Sequence, residues 1–108
     1  MKRRVVITGP AETDTLSNHR WWADNHSPEQ ALRWLEGIYA AMFKLASTAE
    51  TNPPADEKSL RKAGIQQVSF GLGSRPTHRI IYTIDGSYVV IYRVRAFKQD
   101  ELDLSNLE

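Results

Sequence analysis

Seven side chains with usable chemistry bracket two β-like runs near the C-terminal end: Arg75, His78 and Arg79 around the start of the first, and Tyr92, Arg93, Arg95 and Lys98 around the end of the second. A histidine titrates near neutral pH and can carry a proton in either direction. A tyrosine beside an arginine is a second candidate carrier, and guanidinium or ammonium groups can hold developing negative charge. Any one of these arginines has a plain reading as solvated surface, and a histidine at the start of a strand is more often a hydrogen-bonding surface residue than a catalyst. Several cations gathered at one sheet end repel each other, so an anionic partner explains the group better. The chain has no cysteine, which excludes disulfides and thiolate metal sites. Neither a metal nor a cofactor is expected.

The element that must position these groups is a β-hairpin. The runs Arg75 to Ile84 and Ser87 to Lys98 are rich in β-branched and aromatic residues and are separated by Asp85-Gly86, a pair that tolerates the positive φ of a type I′ turn. With Asp85 and Gly86 as the loop, Ile84 faces Ser87, His78 faces Arg93 and Arg79 faces Tyr92, which brings the cations to one rim. In the first of these strands Ile80, Tyr82 and Ile84 alternate with Arg79, Ile81 and Thr83, and the former set should meet the helices.

The rest of the chain supplies those helices. Arg4 to Thr8 reads as a short strand bounded by Gly9-Pro10. Pro10 can open a helix running to about Asn25, with Leu16, His19 and Ala23 on one stripe and Trp22 beside it. Trp21 and Trp22 cannot both face the core, so one lies at an edge or in an exposed apolar patch. Ser27 as N-cap, Pro28 at the first helical position and Gln30 three residues on start a second helix. Ala31, Leu35, Ile38, Met42 and Leu45 recur at helical spacing, flanked by Leu32, Trp34, Tyr39 and Phe43, a pattern of plain packing. This helix ends before Asn52-Pro53-Pro54. Asn52 to Gly64 is a polar, mobile loop carrying Lys58, Arg61 and Lys62. Ile65 to Leu72 alternates as a further strand, and Gly71-Leu72-Gly73 is a turn, because no helix follows that could hold phosphate. Residues 99 to 107 form a short acidic tail with room for one helical turn. The order β-α-α-β-β-β gives a single α+β domain over residues 1–108, with two helices on one face of a mostly antiparallel sheet and the other face open.

With 108 residues, 41% hydrophobic and 25% charged, the composition is that of an ordinary globular domain large enough for one core. Only three apolar residues follow Met1-Lys2-Arg3-Arg4 before Thr8, too few for a signal peptide, and no run approaches a membrane span. A cytoplasmic protein without a membrane partner is expected. The formal charge of +1 is a cancellation: Lys58 to Lys98 holds eight Lys or Arg against Asp85, whereas residues 99 to 108 hold four acids and no base. A basic sheet beside an acidic tail suits a polyanion site that the tail or an acidic partner covers; equally, tail and sheet can pair within the monomer.

This order, with Trp21-Trp22-Ala23, Ala31 and Arg33-Trp34, the stretch Gly71 to Ile80, and Arg93-Val94-Arg95 followed by Gln99-Asp100, resembles the RelE/ParE superfamily of type II toxin-antitoxin toxins, also labelled plasmid stabilisation proteins. The resemblance spans roughly Val5 to Leu104. It implies a cytoplasmic toxin that halts growth and forms a hetero-oligomer with a neutralising antitoxin. In one branch, RelE-like members cleave messenger RNA on the ribosome without a metal; in the other, ParE-like members poison DNA gyrase without hydrolytic chemistry of their own. Cleavage by 2′-hydroxyl attack needs a proton acceptor, a proton donor and cations for the phosphorane charge. Arg79 matches the strand arginine of cleaving members, Lys98 a basic residue after the last strand, and His78 and Tyr92 are the candidate proton carriers. Cleaving members place a Tyr, His or further Arg beyond that strand, whereas here Ala96 and Phe97 are followed by Gln99 and by Asp100, Glu101 and Asp103, three acids that repel phosphate. The expected function is therefore a ParE-like gyrase-binding toxin, with a RelE-like endoribonuclease as the alternative and a non-toxic nucleic-acid-binding module as a third. Arg75, Arg93, Arg95, Lys58, Arg61, Lys62, Trp21 and Trp22 are the residues expected to contact target or antitoxin.

Overall fold

A computed structural model describes residues 2–98, 102 and 104–107. The chain begins with β1 (Arg4–Ile7), which leads directly into α1 (Gly9–Asn25). Thr8 caps α1: its Oγ1 accepts from Ala11 N at 3.3 Å and donates to the Ile91 carbonyl at 2.8 Å, tying the helix start to the sheet. α2 (Pro28–Thr48) starts as its sequence requires, with Ser27 Oγ accepting from Gln30 N at 3.1 Å and Pro28 at the first position. A 3₁₀ turn (Ala49–Thr51) and a short helix α3 (Lys58–Lys62) precede β2 (Gln66–Phe70), β3 (His78–Asp85) and β4 (Tyr88–Ala96), and a second 3₁₀ turn spans Leu104–Leu107.

The four strands form one sheet in the order β1-β4-β3-β2, with β1 parallel to β4 and the other pairs antiparallel. The expected α+β architecture is thus present. α1 and α2 pack on one face over a core of Trp34, Ile38, Met42, Leu45, Ile80, Tyr82, Val89, Ile91 and Val94. Ile80, Tyr82 and Ile84 do face the helices. Fully burying each of these larger side chains stabilises the fold by about 1.5–3 kcal/mol.

Four local expectations need correction. The hairpin loop is Gly86-Ser87, so Asp85 pairs with Tyr88, and a bulge at Tyr92 of β4, opposite the Ile81–Tyr82 step of β3, shifts the register again, setting Ile81 against Arg93, Arg79 against Arg95 and His78 against Ala96. Of the two loop residues only Gly86 takes positive φ (58°). A turn with one such residue at its first central position spares Asp85 the left-handed conformation that a type I′ turn would impose. On α1 the buried residues are Ala11 and Thr15, with Trp22 half-buried, while Leu16 is 50% exposed. On α2 it is Trp34, not Leu35, that is fully buried. Finally, the second sheet face is not open: Ala55, Leu60, Ile65 and Leu102 cover Ile81, with Tyr92 and Leu107 packed beside them. The stretch between α2 and β2 is therefore docked rather than mobile, held by a Pro54–Gln66 bridge and by Ala55 N donating to the Ile65 carbonyl at 3.0 Å.

Candidate functional site

His78 and Arg79 are neighbours on a strand, so they project to opposite faces of the sheet. That alternation divides the expected basic cluster. His78 lies on the helix side, 5% exposed, with its ring edge-on to Trp34 at 5.1 Å. Asn18 Nδ2 donates to the Asp14 carbonyl at 2.8 Å, which turns Asn18 Oδ1 toward His78 Nε2 at 2.9 Å. Nε2 must then carry the proton, and Nδ1 accepts from Thr77 Oγ1 at 2.8 Å. Both ring nitrogens are occupied in the neutral form. Burial holds the imidazole pKa below its usual value.

Arg79 lies on the second face and is 5% exposed. Its guanidinium grips the Glu57 carboxylate at two points, one of them 2.7 Å, and also donates to Gln67 Oε1 at 2.9 Å. Glu57 Oε2 accepts in addition from Leu102 N at 2.9 Å, so one buried carboxylate fixes β3 and the C-terminal segment together. Burial by itself would raise the Glu57 pKa, but the hydrogen bonds from Arg79 and Leu102 and the Arg79 charge outweigh it and hold the pKa at about 2.

The remaining predicted residues fall in three places. Arg93 binds Asp14 of α1 at 2.6 and 2.9 Å, and the same carboxylate accepts from Val94 N at 3.0 Å, closing the β4 edge beyond the end of β1. Arg93 Nη1 also donates to the Asn106 carbonyl at 3.1 Å. Tyr92 packs in the second apolar cluster, and Arg95 pairs across the ladder with Arg79. Lys58, Arg61 and Lys62 belong to α3, where Leu60 is the buried anchor and Arg61 donates to the Asp56 carbonyl at 2.6 Å. The expected rim of converging cations is therefore divided: Arg79 and Arg93 are held by the Glu57 and Asp14 carboxylates, away from the groove that Arg75 lines. Gln99 and the acids Asp100, Glu101 and Asp103 lie outside the described residues.

Arg75, His78, Lys98, Trp21 and Trp22 do meet. They line a groove of about 760 Å³ at the open end of the hairpin, together with Asn18, His26, Pro76, Thr77 and Phe97. Trp21 and Trp22 contact edge-on at 5.7 Å, and His26 lies against Trp22 at 4.4 Å. Sequence reasoning overlooked Glu57, Asp14, Asn18 and His26. Asp14 and Asn18 gave a faint signal, four residues apart on one helix face; Glu57 gave none, because nothing local marks an acid as the buried partner of an arginine 22 residues away.

Residues 5–101 match the family described as the ParE toxin of type II toxin-antitoxin systems. The chain belongs to the ParE toxin family. Its fold is that of solved relatives: a chain of the chromosomal ParDE toxin-antitoxin system of P. aeruginosa superposes with a TM-score of 0.71 at 16% identity, covering 88% of this chain and 96% of that one. The RelBE2 toxin-antitoxin complex of Mycobacterium tuberculosis gives 0.61 at 22% identity, covering 89% and 99%. No curated protein matches the sequence. Among the described residues of this ParE-family chain, no helix is long and apolar enough to cross a membrane, and no group of three or more His, Asp or Glu is placed to hold a metal ion.

Proposed function

We propose that this ParE-family chain is a cytoplasmic, growth-inhibiting toxin that acts by binding DNA gyrase and is neutralised by a cognate antitoxin, rather than by cleaving RNA. One observation carries the reading. Arg79, the arginine that a phosphorane transition state would need, is 5% exposed and already neutralised by Glu57. Support also comes from the opposite placement of His78, whose two nitrogens are both engaged, and from Tyr92 lying in the apolar cluster on the second face. A guanidinium aimed at developing charge typically contributes a hundredfold or more in rate, but only when it is free to meet that charge.

The test adds purified protein to gyrase with supercoiled DNA and, in parallel, to ribosomes translating a defined message. Gyrase-dependent DNA breaks with intact message are expected. Site-specific message cleavage would overturn the reading in favour of the RelE-like alternative, and normal growth at verified high levels of folded protein would remove toxicity altogether.

A further inference from the structure

The groove at the open end of the hairpin has the makings of a receptor for a protein segment. Trp21 is 52% exposed and Phe97 43%, two large apolar side chains flanking one depression. The Trp21, Trp22 and His26 rings brace each other, and the backbone beneath them is fixed: Asn25 Nδ2 donates to the Trp21 carbonyl at 2.9 Å and His26 N to the Trp22 carbonyl at 2.9 Å. Aromatic walls held in this way lose little freedom when a ligand arrives. The indole Nε1–H of Trp22 is buried without an acceptor among the described residues, a donor that a peptide carbonyl or carboxylate can satisfy. The charged side chains lining the groove are Arg75 and Lys98, both exposed, and no described carboxylate joins them.

A nucleic acid is the weaker occupant on magnitude. Two phosphates neutralised by two cations link only about a tenfold change in affinity to a fourfold change in salt. An aromatic pocket, by contrast, is the usual home of the few side chains that dominate a protein interface. We propose that this groove receives one aliphatic or aromatic side chain from an extended acidic segment of a protein partner, with the flanking carboxylates meeting Arg75 and Lys98. The proposal rests on the reading that the chain works through protein partners.

Four probes test it against the purified full chain: a 12-residue peptide with one central Leu flanked by Asp and Glu, the same peptide with Asn and Gln flanks, the same with a central Ala, and a 12-nucleotide oligouridylate. Binding is followed by NMR at the indole N–H resonances of Trp21 and Trp22. The acidic Leu peptide should bind saturably, the neutral-flank peptide about tenfold more weakly, and the Ala peptide at least about thirtyfold more weakly. Trp21→Ala, and independently Phe97→Ala should the first unfold, should cost about thirtyfold, and Arg75→Glu with Lys98→Glu should abolish the preference for acidic flanks. No shift of either indole at millimolar peptide, tighter binding of the oligonucleotide, or unchanged affinity in a folded Trp21→Ala variant would each overturn the proposal. Gyrase breaks that persist alongside any of these results would leave the function reading standing while the groove assignment fails.

Discussion

Glu57→Gln isolates the buried pair on which the second sheet face is built. Glu57 is 4% and Arg79 5% exposed, and the carboxylate receives both Arg79 Nη atoms and Leu102 N. A glutamine of the same shape keeps one acceptor oxygen but sets an NH₂ against donors and leaves the arginine charge buried. Breaking such a pair on one side costs about 3–5 kcal/mol. The depressed carboxylate points to a similar size: a Glu57 pKa lowered from 4.5 to about 2 corresponds to roughly 3 kcal/mol of stability. Because the folded pKa is the depressed one, this contribution is complete above pH 4.5 and disappears as pH falls through about 2. Urea unfolding at pH 7, 4.5 and 3 should therefore show wild type about 3 kcal/mol more stable than Glu57→Gln at neutral pH, with the gap narrowing in acid. In a chain of this size the neutral-pH difference lowers Tm by about 12–25 °C. A gap under about 0.5 kcal/mol at pH 7, or one that is constant down to pH 3, would refute the reasoning.

Other outcomes follow from the same contacts. His78 is held neutral by burial, so the unfolded chain takes up a proton that the folded one resists, and stability should fall as pH drops below about 6.5; His78→Gln should flatten that part of the stability–pH curve. Asp14→Ala, which removes the carboxylate that holds the Arg93 guanidinium and Val94 N–H, should cost about 2 kcal/mol in chemical denaturation. A Cβ at Gly37 would lie 2.6 Å from Phe70 Cζ. Gly37→Ala should thus lose about 1 kcal/mol net, overpacking outweighing the gain in helix propensity, and Phe70→Leu should relieve it; stability at or above wild type would contradict this.

Much of the fold was legible because its signals are local. Ser27-Pro28 marks the α2 start, the spacing of Ile38, Met42 and Leu45 marks its buried face, and alternation assigns Ile80, Tyr82 and Ile84 to the helices. The candidate site was less legible because it depends on register. Asp85-Gly86 and Gly86-Ser87 are both acceptable two-residue turns, and the choice between them moves every cross-strand partner by two residues. The bulge opposite Tyr82 adds a further step that no pattern in β4 announces, since Val89 to Tyr92 is apolar on both faces. The burial of Arg79 was hidden for another reason: an arginine on a strand looks like surface until its acid is found, and Glu57 sits in a polar stretch that reads as loop. Trp21 and Trp22 behaved as their adjacency requires, one exposed and one half-buried.

The most direct measurement removes Arg79 without stranding a charge. Arg79→Ala alone would leave Glu57 buried and unpaired, confounding lost chemistry with lost stability, whereas Glu57→Leu with Arg79→Met replaces the pair by apolar groups, a change that is often neutral for folding. The double variant, once its cooperative unfolding is verified, is compared with wild type for growth arrest, gyrase-dependent DNA breaks and message integrity on translating ribosomes. If the guanidinium serves the fold rather than a reaction, the double variant arrests growth and breaks DNA as wild type does, and messages stay intact with both proteins; site-specific message cleavage by wild type that the folded double variant lacks would contradict the account.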